Sequence, residues 1–83
     1  MSNIIIYTAP FCPYCSHAKY LLSRKKINFI EIDVGKDPGK RREMVQKSQQ
    51  RTVPQIFNGN THIGDCSEIY VFESKGELDA LLA

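Results

Sequence analysis

The chain has 83 residues, 42% of them hydrophobic, which suits one small globular domain spanning 1–83 and excludes an intrinsically disordered segment. Eleven Lys and Arg against nine Asp and Glu give a net charge of +2, too mild to mark a nucleic-acid-binding protein. The longest early apolar run, Ile4-Ile5-Ile6-Tyr7, is too short to span a bilayer and has no basic stretch before it, so a cytoplasmic protein without membrane or secretory segments is expected.

In chain order, Asn3 to Thr8 reads as a strand. Its continuous apolar centre predicts cover on both faces. Pro13 starts a helix with apolar positions Tyr14, Ala18, Leu21 and Leu22, and Arg24, Lys25 and Lys26 fall in its last turn, where cations suit the helix dipole. Asn28 to Val34 is a second strand. Asp37-Pro38 predicts an N-cap followed by proline at the first helical position, with the helix reaching about Gln49 on few apolar residues beyond Met44 and Val45. Pro54 to Phe57 and Thr61 to Ile63 are short strands joined through Asn58-Gly59-Asn60, where Asn-Gly favours a tight primed turn. Asp65 with Glu68 three places on forms an acidic capping box. It opens an apolar-rich helix that Gly76 interrupts and Glu77 to Leu82 completes. The order β-α-β-α-β-β-α predicts an α/β fold. A parallel β-α-β pair plus an antiparallel hairpin makes a four-stranded mixed sheet with helices on both faces.

Three cysteines are present. The count is odd and two are only three positions apart, which argues against the staple framework of a small secreted protein. Cys12 falls at the N-cap of the first helix. With Pro13 at N1, the amides of Tyr14 and Cys15 are free to point at the Cys12 sulfur, and with the helix dipole they favour an anionic sulfur. Cys15 lies one turn in, with fewer donors and less exposure. The pair is therefore unequal: Cys12 attacks and Cys15 waits, as thiol–disulfide exchange requires. Two other readings start from the same residues. One is a buried structural pair. The other is zinc held by Cys12, Cys15, His62 and Cys66, against which stands Pro-Tyr where zinc loops carry glycine turns.

A second signal is Thr52-Val53-Pro54. Proline has no donor and suits a strand's first residue, and X-Pro bonds are the peptide bonds found cis at appreciable frequency. A cis bond would turn Val53 so that its N–H and C=O face outward, ready to pair with an extended peptide.

These residues together resemble the glutaredoxin family of the thioredoxin fold. The likeness runs along nearly the whole chain. Cys12-Pro13-Tyr14-Cys15 is the characteristic glutaredoxin motif, whereas thioredoxins usually carry Gly-Pro between the cysteines and a Trp before them, and this chain has no Trp. Thr52-Val53-Pro54 followed by Gln55-Ile56-Phe57 is similarly typical. The resemblance implies sheet order 2-1-3-4 with three or more helices and a glutathione-dependent disulfide oxidoreductase. It implies that Cys12 attacks and that Cys15 resolves, leaving a redox-active Cys12–Cys15 disulfide that glutathione reduces near about −200 to −230 mV. Val53, ahead of Pro54, would bind the cysteinyl backbone of glutathione. The amides of Cys66 and Ser67 would bind its γ-glutamyl carboxylate, and Tyr14 and Thr52 would line the groove.

No tightly bound cofactor is implied, only glutathione as co-substrate. The implied partners are disulfide-containing or glutathionylated proteins, with ribonucleotide reductase a candidate, and the implied state is a monomer with no nucleic-acid or membrane partner. The chain departs from the family's pattern in places. Thr8-Ala9-Pro10-Phe11 lacks the usual basic residue, a role that falls to Arg51. Gly64-Asp65 stands for Gly-Gly, and Cys66-Ser67 for Cys-Asp or Thr-Asp, with Asp65 or Glu68 as replacement carboxylates.

A rival within the family is an iron–sulfur cluster held between two subunits by the first cysteine and glutathione; proline after Cys12 disfavours it. Of the remaining features, Cys66 reads as a small apolar residue at a helix start or else as a thiol near the active site open to oxidation or glutathionylation, His17 as exposed and His62 as structural. Lys36, Lys40, Arg41, Arg42, Lys47 and Arg51 form a solvated face that attracts anions or acidic surfaces.

Overall fold

The computed structural model describes residues 3–83. Strands β1 (Ile4–Thr8), β2 (Phe29–Asp33), β3 (Gln55–Asn58) and β4 (Thr61–Gly64) form one mixed sheet in the order β2-β1-β3-β4. β1 runs parallel to β2, with Ile4 opposite Phe29, and antiparallel to β3, with Ile6 opposite Ile56. The parallel pair needs a crossover, and helix α1 (Pro13–Arg24) provides it. Helices α2 (Pro38–Ser48), α3 (Cys66–Ser74) and α4 (Leu78–Leu82) complete the chain. The expected mixed sheet and strand order are those observed.

Side chains alternate across the central strand. Ile4 and Ile6 face a core shared with Ala18, Leu21 and Leu22 of α1, Ile69 of α3, and Leu78 and Leu82 of α4. Tyr7 faces the opposite side, with Phe57, Val34 and Met44 of α2. Three helices therefore cover one face and a single helix covers the other. Among the described residues, no helix is long and apolar enough to cross a membrane.

Several local expectations shift. The buried stripe of α1 is Cys15, Ala18, Leu21 and Leu22. Tyr14, expected on that stripe, is 63% exposed, because the stripe's first member is Cys15, one position on. The helix also ends earlier than the basic run suggests. Lys26 takes a left-handed φ of 60°, and the Lys26 and Ile27 amides donate to Ser23 O and Leu22 O. This is a Schellman closure with lysine where glycine is usual. α3 closes the same way at Gly76 (φ 73°), whose amide donates to Glu73 O while Glu77 N donates to Phe72 O, so α4 is a separate helix. In the hairpin, Asn58 still pairs with Thr61, and the two-residue loop is Gly59-Asn60. Positive φ occurs at Gly59 alone of the two, the pattern of a II′ turn with glycine first.

Candidate active site

β1 delivers the chain into a short loop, Ala9 to Phe11, and then into α1. The loop is seated against Gly35: a Cβ there would lie 2.6 Å from Pro10 Cδ. Cys12 is the N-cap, in extended conformation, and its Sγ accepts from the Cys15 amide at 3.2 Å. Among the described residues that amide is the donor found on the sulfur, where two had been expected. The Cys12 thiol in turn reaches Val53 O at 3.9 Å.

Cys15 is only 2% exposed. Burial, and then its hydrogen bond with Cys12, push its thiol up to about 12, against the opposing pull of the Ala9 backbone and the Lys19 charge. At neutral pH the Cys15 thiol is held protonated.

The Val53–Pro54 bond is cis, as expected. Val53 precedes β3 rather than joining it, and no partner for its N–H is found among the described residues. Tyr14, Thr52, Val53, Pro54, Asp65, Cys66 and Ser67 line one open groove of about 330 Å³, so three segments distant in sequence come together. Arg51 is exposed and lies elsewhere, on a neighbouring cleft with Arg41, Arg42 and Gln46. Its carbonyl accepts from the Arg41 guanidinium at 3.4 Å.

The far wall of the groove is the start of α3. Asp65 caps it, accepting from Glu68 N at 2.9 Å while Glu68 returns to Asp65 N at 3.1 Å. The reciprocal box leaves the Cys66 and Ser67 amides at the positive end of the helix dipole. It also needs Gly64, where φ is 149° and a Cβ would sit 2.8 Å from Glu68 Cβ. Cys66 is buried at N1. Burial, then Asp65, then Cys12 push its thiol up.

Two supporting clusters carry no local sequence signature. Gln55 is fully buried. Its amide nitrogen donates to Thr52 O and Thr52 Oγ1 at 3.1 and 3.2 Å, and its oxygen accepts from His62 Nε2 at 2.7 Å. This network assigns the ring proton to Nε2 and pins the Thr52 wall to β4. The one available hint was a polar residue set between Pro54 and Ile56 in an apolar strand. On the other side of Cys12, Thr8 Oγ1 and Lys19 Nζ both donate to Glu31 Oε2, at 2.7 and 3.1 Å, and the Thr8 hydroxyl, then Lys19, hold that carboxyl below the usual range. Lys19 and Glu31 line a second cleft of about 500 Å³ with Cys12, Cys15, Pro10 and Phe11.

The four-residue zinc set does not assemble. His62 is engaged by Gln55 and packs on Phe57, and no group of three metal-binding side chains occurs among the described residues.

A family model described as glutaredoxin matches residues 4–63. Glutaredoxin 3 of Escherichia coli strain K12 is 46% identical over 82 residues, covering 99% of each chain. The solution structure of a glutaredoxin from Brucella melitensis superposes with a TM-score of 0.87 at 50% identity, over 99% of this chain and 89% of that one. A buckwheat glutaredoxin–glutathione complex superposes equally well, TM-score 0.87, at 26% identity over 98% of this chain and 76% of that one.

Proposed function

The chain belongs to the glutaredoxin family of thiol–disulfide oxidoreductases, and from that premise we propose that it reduces protein disulfides and glutathione mixed disulfides, with glutathione as the electron donor. One observation carries the reading. The Cys12 sulfur is held between the Cys15 amide and Val53 O, next to a groove whose walls are the Thr52–Pro54 segment and the amide-bearing start of α3.

In the proposed cycle Cys12 Sγ attacks one sulfur of the substrate disulfide. A bond forms between them, and the other sulfur leaves as a thiolate that water protonates. For a protein substrate, Cys15 then loses its proton and attacks Cys12 Sγ. The product thiol departs and a Cys12–Cys15 disulfide remains. One glutathione opens that disulfide and stays on Cys12; a second removes the first as oxidised glutathione. Two electrons and two protons pass from two glutathiones to one disulfide. A glutathionylated substrate needs Cys12 alone.

The bound glutathione pairs its cysteinyl backbone with Val53 and lies against Tyr14, Thr52 and Pro54. Its γ-glutamyl carboxylate meets the Cys66 and Ser67 amides, as helix starts favour. Arg51, on the neighbouring cleft with Arg41 and Arg42 rather than in this groove, would have to reach across to meet the remaining carboxylate. The protein acts as a cytoplasmic monomer, and ribonucleotide reductase is one partner to try. That a buckwheat relative was solved in complex with glutathione supports, by similarity, a glutathione site in this chain.

The test is a coupled assay with glutathione, glutathione reductase, NADPH and a glutathionylated peptide. NADPH consumption dependent on the protein is expected, and its absence would overturn the proposal. The iron–sulfur rival would instead give brown, dimeric, iron-bearing protein. Cys15 is buried, so a cluster at the surface would take only Cys12 from each chain.

A further inference from the structure

Phe11 immediately precedes the attacking cysteine. Its side chain is 103% exposed and its φ is 57°. Two unfavourable features coincide there. A left-handed backbone crowds Cβ against the following carbonyl, so bulky residues avoid it where glycine would fit. An aromatic ring left in water forgoes its burial free energy. The fold does bury aromatics where it has room, as Tyr7 and Phe57 show, each about 1% exposed. Among the described residues, no hydrogen bond or ring contact is found at Phe11 to offset either feature.

The surrounding loop is also held. Pro10 packs on Gly35, and Pro13 fixes its own φ at N1. The ring borders the cleft of about 500 Å³ that Cys12 also lines, and that cleft shares no lining residue with the groove of Tyr14, Val53 and Cys66.

We infer that Phe11 is the docking residue for protein disulfides: it packs against an apolar side chain that flanks the partner's cystine sulfur. The inference rests on the thiol–disulfide reading above. The chemistry itself selects the occupant. For exchange, a partner sulfur must come within bonding distance of Cys12 Sγ as its own S–S bond breaks and the second sulfur departs. The residues joined to the attacked sulfur then lie over the residue joined to Cys12. A protein segment is long enough to reach Phe11; glutathione is short and polar, and is already placed in the other groove. Phe11 exchanges no electron or proton. It holds the partner while Cys12 reacts.

The test compares wild type, Phe11→Ala and Phe11→Trp on three substrates: a glutathionylated small thiol, and two disulfide peptides with Leu or Ser beside the attacked cysteine. Wild type is expected to prefer the Leu peptide. Phe11→Ala should raise KM for that peptide by roughly tenfold and abolish the preference, while its rate on the small thiol stays within about twofold. Phe11→Trp should restore the preference. The melting temperature of Phe11→Ala should hold, since the ring packs on nothing. Equal KM values for wild type and Phe11→Ala, no Leu preference in wild type, or equal losses on all substrates would overturn the inference. Wild-type protein inactive on every substrate would instead overturn the thiol–disulfide reading.

Discussion

Two helices of this protein begin with a cysteine, and they begin differently. At α1 the cysteine is itself the N-cap, and Cys12 Sγ takes the Cys15 amide. At α3 the cap is a carboxylate, Asp65, and Cys66 sits one position further in, buried behind a closed capping box. The same residue type meets the same helix dipole in both places. The difference of one position decides whether the sulfur receives the free amide or is turned into the core. The proposed nucleophile is thus the cysteine that caps, and the one a position further in is buried.

The largest expected effect lies at the capping cysteine. Cys12→Ser should reduce turnover of a glutathionylated peptide by more than about 100-fold. Cys15→Ser should keep much of that turnover and lose protein-disulfide reduction. Equal losses in the coupled assay would break the division of roles. Next, brief iodoacetamide treatment of the reduced protein at neutral pH should label Cys12 at least about tenfold faster than Cys15 or Cys66, as read by peptide mass spectrometry. Prior labelling of Cys66 would erase the contrast between the two helix starts.

The buried sulfur also makes a pH prediction. The folded-state pKa of Cys15 is raised from 9.0 to about 12, so the fold holds its proton more tightly than the unfolded chain does. The resulting stability is complete below about pH 9 and is lost as pH climbs towards about 12. Cys15→Ala should flatten that alkaline limb in urea titrations of the reduced protein. Between the two helix starts, Gln55→Ala should destabilise the fold by about 2 kcal/mol, since it leaves Thr52 and His62 without their partner, and should raise KM for glutathione. The smallest change is Asp65→Ala. Loss of one cap costs about 1 kcal/mol, seen as a small drop in the urea midpoint.

Much of this is legible in the sequence itself. The caps at Cys12, Asp37 and Asp65 are short-range chemistry, and each appears where the residues predict it. The parallel β1–β2 pair and the β3–β4 hairpin follow from the element pattern, whereas the order that sets β1 beside β3 is implied by the resemblance alone. Tyr14 was misplaced because a helical period identifies a stripe without fixing which residue begins it, and the sheet chose Cys15. The hairpin turn moved by one residue because Asn58 keeps its pair with Thr61. Gln55 and the Thr8–Lys19–Glu31 cluster were missed for a different reason. Gln55 meets Thr52 three positions back and His62 seven positions on across the hairpin, and Thr8 meets Glu31 23 positions on across β1 and β2, pairings that no side-chain pattern in the chain marks. Arg51 neighbours Thr52 in sequence, yet it turns towards α2, where Arg41 takes its carbonyl.

The uneven covering of the sheet has a consequence for how the groove behaves in time. α2 buries only Met44 and Ser48, so its amides should exchange with deuterium sooner than those of α1, through local opening rather than whole-molecule unfolding. Gln49 to Arg51 lead from that helix to Thr52 and Val53. One wall of the groove thus comes after a helix that buries two residues while Cys12 caps one that buries four, and glutathione bound at Val53 as proposed should slow amide exchange in α2.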